Sequence, residues 1–148
     1  RAPDRMPMLL EVHRAAADVL ASESDRVVLA GKSMGGRVGS HLAGDEGWPA
    51  AGLVYFGYPL VPVGKGDPRP TDHLNAIDVP QLFMAGSRDR LSPPALMAPI
   101  AASVPDGTFQ VIDGGDHSFK VLKRSPKSND EVLDDATGAA ADWILTRI

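Results

Sequence analysis

Residues Val27-Val28-Leu29-Ala30-Gly31-Lys32-Ser33-Met34-Gly35-Gly36-Arg37 decide how this chain folds. A short apolar run, rich in β-branched side chains, meets Gly-x-Ser-x-Gly and passes into a segment with helical spacing. Strand, sharp turn and helix are the context in which that pattern presents a serine above a sheet. Such a turn holds Ser33 in a strained backbone conformation with its hydroxyl projecting past the strand. Gly31 and Gly35 are expected to be required, because a Cβ at either would collide with the neighbouring strand or helix. Ser33 then stands at a helix N-terminus, where free N–H groups and the dipole favour developing negative charge. The Met34 amide is therefore the expected oxyanion donor. Gly-x-Ser-x-Gly alone arises by chance in many chains, and the flanking segments give it weight.

The rest of the composition bounds the answer. A length of 148 residues suits a single domain, residues 1–148, with a core of its own. Hydrophobic content of 43% and charged content of 23% place it among soluble globular proteins. A net charge of −4 argues against nucleic acid as a partner, which would call for a basic face. No apolar run approaches the roughly 18 residues of a membrane span. Arg1 to Pro7 is polar and does not read as a signal peptide, so a cytoplasmic setting is expected. Cysteine is absent, which excludes a disulfide framework, a thiolate metal site and a cysteine nucleophile.

Upstream of the elbow, Met8, Leu9, Val12, Ala15, Ala16, Val19 and Leu20 recur at helical spacing. They predict an amphipathic helix of about four turns that ends near Ser22 to Asp25. Arg26 to Ala30 is the strand that delivers Ser33, and a helix from about Met34 to Leu42 follows it. Leu53 to Phe56 reads as the second strand, Val61 to Pro70 as a Pro/Gly-rich loop, and Thr71 to Ala76 as a short helical piece. Gln81 to Gly86 is the third strand. Ser92-Pro93-Pro94 caps a helix reaching about Val104, with Pro99 expected to interrupt or kink it. Thr108 to Ile112 is the fourth strand, and Asp113-Gly114-Gly115-Asp116-His117 is a tight loop after it. Ser128-Asn129-Asp130-Glu131 has capping-box spacing and opens a last helix with Val132, Ala136, Ala140, Trp143 and Ile144 on one face. Apolar strands alternating with helices predict a parallel sheet of about four strands covered on both faces. Ligands of such sheets bind beyond the C-terminal ends of the strands.

An activated serine needs a base, and the base needs an orienting acid. His13, His41 and His73 fall in helical segments and are expected to be solvated surface histidines. His117 differs, because Gly114 and Gly115 let its loop fold tightly and return the imidazole over the sheet. Asp89, just past the third strand, is the expected acid. Asp113 and Asp116 are its rivals, although a carboxylate at those positions more readily caps its own turn. A metal site built from Asp113, Asp116 and His117 is the weaker reading, since it lacks a second histidine and regularly spaced carboxylates. Lys32 reads as solvent-facing.

At these residues the chain resembles a known family. Gly31-Lys32-Ser33-Met34-Gly35-Gly36-Arg37, Tyr58-Pro59-Leu60, Asp72-His73-Leu74, Gly86-Ser87-Arg88-Asp89 and Gly115-Asp116-His117-Ser118-Phe119-Lys120 resemble the α/β-hydrolase superfamily. Within it, the likeness is to the branch of testis-expressed protein thirty and the third subunit of the NSL chromatin complex, and more distantly to dienelactone hydrolases. The resemblance implies a three-layer α/β-hydrolase fold, with Ser33 as nucleophile, Asp89 as acid, His117 as base, no cofactor and no metal. In that group a His-Gly-rich loop and several strands precede the elbow, and that loop supplies a second oxyanion donor. No counterpart stands before Ser33 here. The expectation is a C-terminal portion of the fold, with N-terminal strands missing and Val27 to Ala30 at an open edge. Self-association, or pairing with the missing N-terminal segment, follows from such an edge.

The function these readings imply is a serine hydrolase acting on an ester, thioester or related acyl bond of a small-molecule substrate. The alternative is a non-catalytic protein-interaction module that keeps the hydrolase fold.

Overall fold

A computed structural model describes residues 4–64 and 66–148. In chain order the elements are α1 (Met6–Glu23), β1 (Val28–Lys32), α2 (Met34–Gly44), β2 (Gly52–Phe56), a 3₁₀ turn (Asp72–Ala76), β3 (Gln81–Gly86), α3 (Pro94–Ser103), β4 (Gly107–Ile112) and α4 (Asn129–Arg147). The four strands pair in the order β1-β2-β3-β4, every pair parallel. Parallel pairing aligns their C-terminal ends, and the register sets Lys32 opposite Phe56 and Gly86 opposite Ile112.

Alternate residues of the strands serve two cores, as the two-residue period of a strand requires. Leu53, Tyr55 and Phe83 pack with Ala17, Leu42, Leu74, Met97 and Ala101 from α1, α2, the 3₁₀ turn and α3. Val54, Leu82 and Met84 face the other way and meet Val132, Ala136 and Ala140 of α4. All of β3 is buried. Gln81, with no exposed surface, is satisfied by the Tyr55 hydroxyl at 2.9 Å and by the carbonyls of Leu74 and Ile77 at 3.0 and 3.3 Å. Those bonds tie the 3₁₀ turn to the sheet, and an unpaired amide there would carry the full cost of burial. The capping box of α4 forms as its spacing predicts: the Glu131 amide donates to Ser128 Oγ, and the Ser128 amide to the Glu131 carboxylate. Pro99 does not break α3, which runs unbroken through it.

Among the described residues β1 pairs on one side alone. Its other side faces an apolar groove lined by Val12, Ala16, Leu20, Val28, Ala30 and Gly35. This groove corrects one expectation. A Cβ on Gly31 would lie 2.3 Å from the Gly36 nitrogen, and one on Gly36 would lie 2.7 Å from the Gly31 carbonyl oxygen. A Cβ on Gly35 would meet nothing within 4 Å, because it points into the groove. The tight contact of strand and helix thus involves Gly31 and Gly36, not Gly31 and Gly35. Urea unfolding should show the difference. Gly31→Ala is expected to cost about 3 kcal/mol or more, as overpacking against backbone does. Gly35→Ala is expected to be neutral, or to stabilise by up to ~1 kcal/mol through helix propensity. Equal losses in the two variants would show that the groove is filled.

Candidate active site

Ser33 links β1 to α2 with φ 52° and ψ −119°, outside the regions that L-residues ordinarily occupy. Such a conformation costs of order 1–3 kcal/mol and persists only where the surroundings enforce it. They do so here from both sides. The Ser33 amide donates to the Phe56 carbonyl at 3.0 Å, extending the sheet by one residue, and the Ser33 carbonyl accepts from the Arg37 amide at 3.1 Å. The sharp change of direction leaves the hydroxyl above the strand ends.

The other two residues arrive the same way. Asp89 follows β3 in a turn, with its amide bonded to the Gly86 carbonyl at 3.0 Å. His117 follows β4 in a loop whose Asp116 Oδ1 accepts the amides of Ser118 and Lys120 at 2.8 and 3.0 Å. His117 Nε2 lies 2.9 Å from Ser33 Oγ, and its Nδ1 lies 3.0 and 2.9 Å from the two oxygens of Asp89. Asp89 is buried, and its Oδ1 also accepts the amides of Leu91 and Ser92 at 2.8 and 2.9 Å. Three donors on one carboxylate fix its orientation. With Nδ1–H committed to Asp89, His117 presents a bare Nε2 to the hydroxyl. The arrangement can take a proton from Ser33 and return it.

The structure therefore brings Ser33, His117 and Asp89 into one relay and leaves the rival acids out. Asp113 meets Ser87 Oγ at 3.4 Å, and Asp116 caps its own loop. Lys32 is exposed. Met34 is the first residue of α2, so its amide is among those a helix leaves without an intrahelical acceptor.

Three supporting groups escaped the sequence reading. Gly57 ends β2 at φ 67°, and a Cβ there would stand 3.1 Å from Asp89 Oδ2 and 3.2 Å from His117 Nδ1. Only glycine combines that backbone with that clearance. Gly86 lets the His117 loop cross β3, since its Cβ would lie 2.2 Å from the Gly115 carbonyl oxygen. Arg88 clamps the same loop, donating its amide to the Gly115 carbonyl and Nη1 to the Gly114 carbonyl, both at 2.9 Å. The signal for Gly57 was present as a glycine ending a strand, but its reason lies in two residues far away in sequence.

A second polar cluster joins α2 to the 3₁₀ turn. His41 and His73, expected to be solvated, instead stack with ring centroids 3.8 Å apart. His73 Nε2 meets Ser40 Oγ at 2.9 Å and the Tyr58 hydroxyl at 3.3 Å, while His41 Nδ1 meets Asp45 at 2.7 Å. Burial, and then the neighbouring His41, push the His73 pKa down to about 4, so its ring is neutral at pH 7. Helical spacing could not reveal this, because the partner rings belong to separate elements.

Comparison with known proteins agrees with this architecture. Residues 1–145 match the alpha/beta hydrolase domain family. No curated protein matches the chain. Among solved structures, Est1E from Butyrivibrio proteoclasticus, seen with ferulic acid, superposes with a TM-score of 0.73 at 17% identity, over 97% of this chain and 69% of that one. A thermophilic esterase from Thermogutta terrifontis gives 0.73 at 17% identity, over 98% and 74%. A predicted CIB-like hydrolase from Thermoplasma acidophilum gives 0.65 at 20% identity, over 93% and 60%. The chain thus spans less than two thirds of the Thermoplasma protein. At these identities the likeness is one of fold.

Proposed function

The chain belongs to the alpha/beta hydrolase domain family, and on that premise we propose that it is a serine hydrolase cleaving an ester, thioester or related acyl bond. The observation that carries this reading is the unbroken hydrogen-bonded line from Ser33 Oγ through His117 to buried Asp89. Ser33 attacks the acyl carbon while His117 Nε2 takes its proton, and Asp89 stabilises the imidazolium and holds its tautomer. The Met34 amide binds the oxyanion of the tetrahedral intermediate. His117 then protonates the leaving group, and water, activated by the same imidazole, releases the acyl group from Ser33. The finer likeness to the testis-expressed protein thirty branch rests on the Gly-Lys-Ser-Met-Gly-Gly and Gly-Asp-His-Ser-Phe-Lys segments.

Family membership does not by itself establish activity. A fluorophosphonate probe tests it directly. Intact mass should increase by one adduct, and peptide mapping should place it on Ser33. A protein that stays unlabelled, with Ser33 intact, would favour an interaction module that keeps the fold.

A further inference from the structure

Among the described residues two positions other than glycine have positive φ, Ser33 at 52° and Phe119 at 60°. For a bulky side chain that backbone is an outlier, and something around it must compensate the strain. At Ser33 the strain belongs to the nucleophile turn. Phe119 lies two residues beyond His117, outside the Ser33 relay.

Its side chain accounts for the compensation. Phe119 is 2% exposed and joins the core of Val54, Leu82, Met84 and Ile112, on the face of the sheet that α4 covers. Asp116 and His117 are half-buried and Ser118 is exposed, so the Phe119 ring is the part of this loop set in the core. The loop is closed on itself. The Asp116 amide donates to the Lys120 carbonyl at 3.0 Å, the Phe119 amide to the Asp116 carbonyl at 2.9 Å, and Asp116 Oδ1 accepts the amides on either side of Phe119. Those bonds fix the loop's shape but not its seat on the sheet. Arg88 holds the stem at Gly114 and Gly115, and the Phe119 ring holds the far end. The positive φ turns the chain so that the ring enters the core while the imidazole reaches Ser33 and Asp89.

The partner of that ring ties it to the nucleophile. Phe119 stands edge-on to Phe56, with centroids 6.2 Å apart and planes at 82°, a geometry aromatic pairs prefer. Phe56 is the last residue of β2, and its carbonyl accepts the Ser33 amide at 3.0 Å. Gly57 after it leaves the clearance beside His117 and Asp89. One aromatic pair thus joins the residue that braces the elbow to the loop that carries the base.

We propose that Phe119 is the positioning residue of His117, its buried ring against Phe56 holding the histidine loop in register with the Ser33 elbow. The effect on rate rests on the serine-hydrolase reading; the placing of the imidazole does not.

Three variants test it. Phe119→Leu keeps apolar bulk without the aromatic edge, and Phe119→Gly accepts positive φ freely but has no ring. Val132→Ala opens the same core from α4 and controls for loosening alone. Misplacing a reacting group by about 1 Å can cost on the order of 10²-fold. With p-nitrophenyl butyrate, well below the unfolding temperature of every variant, kcat should therefore fall roughly tenfold in Phe119→Leu and on the order of 10²-fold in Phe119→Gly. KM should stay within about twofold, as expected when alignment rather than binding is lost. Val132→Ala should keep kcat within about twofold. Nitrogen NMR of the His117 ring in mildly alkaline solution needs no substrate. It should show one Nδ1–H tautomer in the unmodified protein and a mixture in both Phe119 variants, as the bond to Asp89 loosens. Full activity in Phe119→Gly would show that the backbone, not the ring, seats the loop, and would overturn the proposal. An equal fall of kcat in Val132→Ala, or a loss confined to KM, would overturn it as well. Should Phe119→Gly not fold, Phe119→Leu carries the same comparison. If the unmodified protein cleaves no ester, the serine-hydrolase reading falls and NMR alone decides: a mixed tautomer in Phe119→Leu upholds the positioning role, and an unchanged one overturns it.

Discussion

Ser33→Ala is expected to abolish hydrolysis of short p-nitrophenyl esters, with turnover falling on the order of 10⁶-fold. Among the described residues the hydroxyl is the hydrogen-bond partner of His117 Nε2, at 2.9 Å, and alanine removes it. Stability should hardly change, because alanine keeps the Cβ and with it the strain at φ 52°. Ser33→Gly should lose activity equally yet gain up to about 1 kcal/mol, since glycine occupies positive φ without penalty. A denaturant series on the two variants, run beside the ester assay, separates chemistry from folding. Undiminished activity in Ser33→Ala would move the chemistry to another residue.

Asp89→Asn is expected to lower kcat by roughly 10⁴-fold while leaving the fold intact. Oδ1 of Asp89 accepts the Leu91 and Ser92 amides, so the oxygen of an asparagine should keep that position. Its NH₂ would then face His117 Nδ1, now at 2.9 Å from Oδ2. A donor at that place drives the ring proton to Nε2, where it points at Ser33 and cannot accept a proton. NMR of the imidazole nitrogens should report the exchanged tautomer, and steady-state kinetics the lost rate. A fall of less than about tenfold would show that Asp89 is not the orienting acid. Asp113 and Asp116, bound to Ser87 and to their own loop, would then have to be reconsidered.

Much of the fold was legible because its signals are local. Apolar runs of strand length, a capping box at Ser128 and Glu131, and proline at the start of α3 each act within a few residues. The elements they predict agree with the structure to within a few residues at their ends. Pro99 misled because α3 tolerates it within a continuous helix. Gly35 misled because the elbow pattern does not say which glycine meets the strand. The direction of a missing Cβ depends on how α2 is rotated over β1, and that is set by packing.

The sequence by itself determined the order of elements and the parallel sheet, and it pointed to Ser33, Asp89 and His117 as candidates, with Asp113 and Asp116 as rival acids, since serine, aspartate and histidine each follow a strand-like segment. Chain order and strand ends suffice for that, because a parallel sheet gathers those ends on one edge. Tertiary structure alone decided the clearance that Gly57 provides and the crossing that Gly86 allows. It also decided the stacking of His41 on His73 and the meeting of His73 with Ser40 and Tyr58. Each of these joins residues on different elements, where no spacing along the chain records the distance. Whether a histidine is solvated or stacked depends on what packs against it, and packing is a property of the folded chain.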